Sequence, residues 1–302
     1  MTPRNWATLL ALSVLWGGSF LFNALALEGF SVLAVVALRV ALAALALWGV
    51  ILFTGAAMPR GWPVWRALAL MSLLNNIIPF TLIVYGQTML ASGLAAILNA
   101  TTPIFTALIA HRLTGDEKLS PRKLAGILLG FFGVVVLLMA RQGGALLAEA
   151  APLGIAAALG AALSYGFAGV HGRSFARMGV TPLATATGQV TVSALLLLPV
   201  AMLVRPEDFT TLPALVPALA VIGLGLLSTA VAYLLFFRIL ASAGATNISL
   251  VTLLVPPSAI LLGIVFLGES LPAPAYAGLA LIALGLAVLD GRLLRRKSRS
   301  SA

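Results

Sequence analysis

The chain has 302 residues, of which 61% are hydrophobic and 9% charged, with a mean hydropathy of +1.12. So little polar surface cannot clothe a water-soluble globule of this size, so the net charge of +10 is read between apolar segments, where it orients a membrane protein rather than binding nucleic acid. The absence of cysteine removes disulfides, thiol catalysis and cysteine metal sites together.

In chain order, segments suited to crossing a bilayer as helices fall at about 5–26, 31–54, 64–85, 92–111, 122–140, 151–171, 182–203, 213–236, 246–267 and 273–290. The third and fourth share one uncharged stretch from Ala67 to His111, too long for a single span, which is expected to fold back between Gly86 and Gly93. Arg4, an apolar run and Ala24-Leu25-Ala26 give the first segment the outline of a cleavable signal peptide. Trp16-Gly17, however, is echoed by Tyr165-Gly166, and removing the first span would leave the two halves unequal, so a retained span is expected.

That echo is general. Leu90-Ala91-Ser92 returns as Leu240-Ala241-Ser242, and Glu117, Gly126 and Gly133 return as Glu269, Gly278 and Gly285 at a constant offset of 152. Five spans per copy is an odd number, so the second copy lies upside down relative to the first. The expected fold is an all-α membrane protein of ten transmembrane helices, built as two inverted five-helix repeats over residues 1–145 and 146–302. With the N-terminus cytoplasmic, 15 of the 18 Lys and Arg residues fall inside and only Arg141 and Arg205 outside. The C-terminus, with its basic tail from Arg292 to Arg299, is then cytoplasmic too. Gly126, Gly133, Gly278 and Gly285 suit close packing of the fifth and tenth spans, within one molecule or across a dimer.

Polar groups in hydrocarbon are costly and so trace a pathway. Arg39 is the one charged residue well inside a span, either a counter-charge for a carboxylate or a bonding group between neighbouring helices. Its repeat counterpart is Gly188, beside Gln189. The third span holds Asn75-Asn76 and Pro79 at its centre, followed by Tyr85 and Gln87, and Pro79 leaves the carbonyl of Asn75 without its helical partner. Asn99, Thr102 and Thr106 follow helical spacing beside Pro103, as Ser249 and Thr252 do beside Pro256. Trp16, Ser19 and Asn23 share a face of the first span, Ser164 and Tyr165 mark the sixth, and Tyr233 lies in the eighth. The candidate substrate-binding set is Trp16, Asn23, Arg39, Asn76, Pro79, Tyr85, Asn99, Thr102, Ser164, Tyr165, Gln189, Tyr233, Thr252 and Pro256. The first, third, fourth, sixth, eighth and ninth spans are expected to build the cavity, a sparse polar pocket among aromatics suited to a small amphipathic solute.

No Asp or Glu lies in the middle of a span, and His111 and His171 sit at helix ends, so a carboxylate relay for ion coupling is not expected. Facilitation down a gradient, or weakly coupled export, is. The chain has no HExxH, no nucleophile with its base, no paired carboxylates and no phosphate-cradling loop, so neither enzyme, metal nor cofactor is expected. One intramembrane cation is also few for a phosphorylated substrate.

Trp16-Gly17-Gly18-Ser19-Phe20, Arg39, the approach to Pro103, Gly115-Asp116-Glu117 followed by Gly126, and Leu267-Gly268-Glu269 followed by Gly278 together resemble the drug/metabolite transporter superfamily, in its ten-helix EamA-type branch. The resemblance implies export of amino acids, related metabolites or toxic compounds across the bacterial inner membrane by alternating access. Aromatic and neutral amino-acid exporters look the most similar in function. Partners so implied are a small-molecule substrate and the lipid bilayer, with no nucleic acid, in a monomer or weak homodimer. Glu117 and Glu269 would shape hairpin ends or gate them. The alternatives are a drug or other metabolite exporter on the same fold and, third, a membrane-embedded enzyme.

Overall fold

The computed structural model describes residues 1–90, 92–142, 151–211, 213–258 and 273–290. The helices in order are α1 (Pro3–Leu27), α2 (Val32–Thr54), α3 (Trp62–Gln87), α4 (Ser92–Asn99), α5 (Thr102–Leu113), α6 (Pro121–Gln142), α7 (Pro152–Gly172), α8 (Pro182–Val204), α9 (Leu215–Ala243), the short α10 (Ala245–Ser249) and α11 (Ala273–Asp290). Residues 251–258 are helical as well, and the described residues include no strand. Among the described residues, seven helical stretches are long and apolar enough to cross a membrane: α1, α2, α3, Leu94–Leu113, Pro152–Arg177, α8 and α9. Glu269, the basic tail and the end of the ninth expected span lie outside the described residues.

Local chemistry sets the helix ends. Thr2, Ser31 and Thr181 accept backbone N–H groups three residues on, opening α1, α2 and α8. Gly55, with φ at +64°, closes α2 in the left-handed conformation. The turn expected between Gly86 and Gly93 falls between the end of α3 at Gln87 and the start of α4 at Ser92.

Three interruptions matter for the site. α3 widens into a π turn over Leu73–Ile77, directly before Pro79, whose missing N–H leaves the Asn75 carbonyl without its usual partner. α9 widens likewise over Leu226–Val231, where the Thr229 hydroxyl donates to the Leu224 carbonyl five residues back. The fourth expected span breaks at Ala100–Thr101, just before Pro103, and the Thr102 hydroxyl takes up the freed Asn99 carbonyl at 2.6 Å. The chain breaks again at Leu250, where Thr252 donates to Ser249 at 2.8 Å.

The helices pack chiefly as the pairs α6–α11, α2–α8, α3–α7, α5–α7 and α1–α9. In the first pair the backbones touch: a Cβ on Gly133 would lie 2.6 Å from the Ile282 nitrogen, and one on Gly285 would lie 2.5 Å from the Gly130 nitrogen. Close approach of glycine-bearing faces is how helices associate where lipid is as apolar as the side chains. These glycines are therefore used within one molecule. Large apolar side chains such as Leu52, Phe53 and Leu203 are exposed on the outside, as a lipid-facing surface requires.

Candidate functional site

The interrupted helices converge on a central cavity of about 70 Å³. Eight of the expected residues line it: Trp16 and Asn23 from α1, Arg39 from α2, Asn99 and Thr102 at the α4–α5 break, Tyr165 from α7, Tyr233 from α9, and Thr252. Ser19, Asn75, Thr106 and Ser249, singled out for their polarity, join them. Phe20, Phe80 and Phe236 complete an aromatic wall that polarity gave no reason to select.

Arg39 is 4% exposed and is held on three sides. Nε donates to the Thr229 hydroxyl at 2.7 Å, Nη2 donates to the Ser228 carbonyl at 3.3 Å, and the guanidinium carbon lies 3.8 Å over the Phe80 ring centroid. Both hydrogen-bond partners belong to the π turn of α9. The Ser228 carbonyl also accepts the Trp16 indole N–H at 3.1 Å, so the turn ties α1 and α2 to α9. Among the described residues no carboxylate pairs with Arg39, and its Nη1 has no hydrogen-bond partner. A guanidinium has five donors in a planar fork, so this one retains capacity for an anion.

The other six expected residues lie elsewhere. Asn76, fully buried, donates to the Ser193 hydroxyl at 2.7 Å and accepts from the Tyr233 hydroxyl. Gln189 accepts from Asn75 at 3.1 Å, and Ser193, whose own proton goes to the Gln189 carbonyl, accepts from Ser72 at 2.8 Å. These groups stitch α3 to α8 and α9. Ser164 donates to the Leu74 carbonyl in the π turn of α3 at 2.7 Å. Pro79 and Pro256 are buried without lining the cavity, and Tyr85 is 39% exposed on the outside.

A larger vestibule of about 740 Å³ opens at the end of the bundle carrying Lys123, Arg173 and Arg177. α10 divides the two spaces: Ala245, Ile248 and Ser249 border the cavity, Gly244, Thr246 and Asn247 the vestibule. Glu117, at the α5–α6 hairpin, pins α10 in place by accepting the N–H groups of Ala245 and Thr246, each at 2.9 Å, and the Thr246 hydroxyl. Gly244 makes this approach possible twice over. Its φ is +84°, and a Cβ there would fall 2.3 Å from a Glu117 oxygen. Arg173 pairs with Glu117 at 3.3 Å and with Asp116, and its hydrogen bond lowers the Asp116 carboxyl to about 2.

A helical bundle whose interrupted helices meet at a singly cationic, aromatic-walled cavity has the architecture of a membrane transporter. The chain belongs to the EamA-like transporter family, whose model matches residues 5–139 and again residues 152–289. It is 29% identical over 283 residues to the uncharacterized inner membrane transporter YedA of Escherichia coli (strain K12), a match covering 92% of this chain and 87% of that one. It is 28% identical over 255 residues to protein PecM of Dickeya dadantii, covering 83% and 82%. A crystal structure sharing 23% identity superposes with a TM-score of 0.77 over 99% of this chain and 100% of its own, a likeness of fold.

Proposed function

We propose that this multi-pass inner-membrane protein exports amino acids, including aromatic and neutral ones, by alternating access at the central cavity. The observation that carries this reading is Arg39, a buried cation with no carboxylate partner among the described residues, set in an aromatic wall. An α-carboxylate fits the fork, and an apolar side chain fits the rings. Ten spans in two inverted repeats, residues 1–145 and 146–302, with both termini cytoplasmic, are part of the proposal. The twofold family match, the paired π turns and the two breaks beside the cavity support it. So does the basic end of the bundle, which the positive-inside rule assigns to the cytoplasm.

In this conformation the cavity is well below the roughly 300–1,000 Å³ of a drug-sized site. Loading from the cytoplasm then requires α10 to move, and Glu117 is what holds it. The aromatic wall favours a second reading, export of apolar drugs, in which Arg39 only bonds helices. Counterflow of labelled leucine and phenylalanine in proteoliposomes decides between them. Uptake of both with no dye efflux is expected. Dye or drug efflux without amino-acid counterflow establishes the second reading instead.

A further inference from the structure

The cavity has an unusual division between donors and acceptors. Ser19, Thr102, Thr106, Ser249 and Thr252 all donate their hydroxyl protons to backbone carbonyls three or four residues earlier in the chain, at 2.6 to 2.9 Å. What they leave toward any occupant is acceptor capacity. The Trp16 indole and Tyr233 hydroxyl protons are likewise committed, and the Tyr165 hydroxyl is the cavity hydroxyl that is not, among the described residues. Two further acceptors, Asn23 Oδ1 and Asn99 Oδ1, are buried with no donor at all.

The direction of the Asn23 amide follows from a chain of bonds. The Phe20 carbonyl can only accept, so the nitrogen of Gln87 faces it, at 3.1 Å. The oxygen of Gln87 is thereby left to accept from Asn23 Nδ2, at 2.9 Å. Asn23 must then turn its oxygen, not its nitrogen, away from Gln87. Gln87 itself does not line the cavity. Buried acceptors without donors are rare in folded proteins, and these two are sealed from water in this conformation.

We infer that Asn23 Oδ1 and Asn99 Oδ1 form an ammonium subsite, with Gln87 the residue that positions Asn23, so that the transported solute must carry a free protonated amino group. This rests on the reading of the cavity as the transport site. An ammonium brings three donors and no acceptor, the complement of an acceptor-rich wall, while Arg39 supplies the opposite match for the carboxylate.

The test is counterflow of labelled leucine by the full-length protein in proteoliposomes, challenged with unlabelled leucine, N-acetyl-leucine and 2-hydroxy-4-methylpentanoate. Leucine should compete at least about tenfold better than either analogue, since both lack the ammonium. Asn23→Leu and Gln87→Met should each raise KM about tenfold with the maximal rate retained, because Met at 87 offers the Asn23 amide nitrogen no carbonyl acceptor and frees the amide to turn. Asn99→Asp should admit 3-methylbutylamine, which wild type rejects. Equal competition by N-acetyl-leucine overturns the subsite and leaves the transport site standing, and it needs no variant to fold. A loss of maximal rate at unchanged KM in Asn23→Leu and Gln87→Met also overturns it. Absence of counterflow for leucine and phenylalanine in wild type overturns both readings.

Discussion

Two polar clusters lie close together in this bundle and treat the same residue types in opposite ways. Between α3, α8 and α9, the groups Ser72, Asn75, Asn76, Ser193 and Tyr233 are bonded to one another, with only the Gln189 amide nitrogen left over. In the cavity, Asn23 and Asn99 hold acceptors without donors, and Arg39 has no anion among the described residues. The first cluster leaves one amide nitrogen over, whereas the second leaves two acceptors and a cation around one cavity. Residue type and depth in the membrane do not separate glue from site; hydrogen-bond satisfaction does.

The contrast makes predictions that differ in kind. The largest effect is expected at Arg39. Arg39→Met should reduce leucine counterflow by about 100-fold or more, as the desolvated partner of the carboxylate is gone. Stability should change little, because Ser228 keeps Trp16 as a donor and Thr229 keeps Leu224 as an acceptor. Asn76→Ala should do the reverse. It removes the Asn76 bonds to Ser193 and Tyr233, leaving the Tyr233 hydroxyl only the longer bond to the Asn75 carbonyl, and should lower stability by about 1–3 kcal/mol in thermal or denaturant unfolding, while the KM of the folded fraction stays put.

Smaller effects belong to the latch. The chain has no native cysteine, so Ser249→Cys gives a single thiol on the cavity wall. Adding Glu117→Gln should speed its labelling from the vestibule side several-fold, since an amide holds the α10 N–H groups and Arg173 less strongly than a carboxylate does. The smallest effect is that of pH. The hydrogen bond from Arg173 holds Asp116 at about 2, below its ordinary value, so the pair is fully present above the usual carboxylate range and is lost only as pH falls through about 2. Leucine counterflow between about pH 5 and 8 should therefore show no inflection assignable to Asp116.

Much of the architecture was legible in the sequence. Turn residues placed the α3–α4 reversal and repeated glycines anticipated the α6–α11 contact, whereas the fourth span, expected as one helix over 92–111, is broken before Pro103 into α4 and α5. Spans one, three, four, six, eight and nine all reach the cavity, and the second span, outside that expectation, reaches it as well through Arg39. Sorting residues within a span was harder. Adjacent Asn75 and Asn76 cannot share a direction, yet only the structure shows that Asn75 borders the cavity while bonding Gln189 and that Asn76 lies wholly within the interface. The π turn explains why. Its extra residue rotates everything beyond it by about 100°, so an α-helical phase carried past residue 77 misplaces Pro79 and misses Phe80. Gln87 escaped selection because it acts on Asn23 rather than on the cavity.

The most direct measurement is leucine counterflow per folded molecule, with unfolding midpoints, for Arg39→Met and Asn76→Ala side by side. Expected are lost transport at near-native stability in the first and native KM at reduced stability in the second. Native transport by Arg39→Met together with a lowered midpoint would place Arg39 among the structural groups and contradict the division between the two clusters.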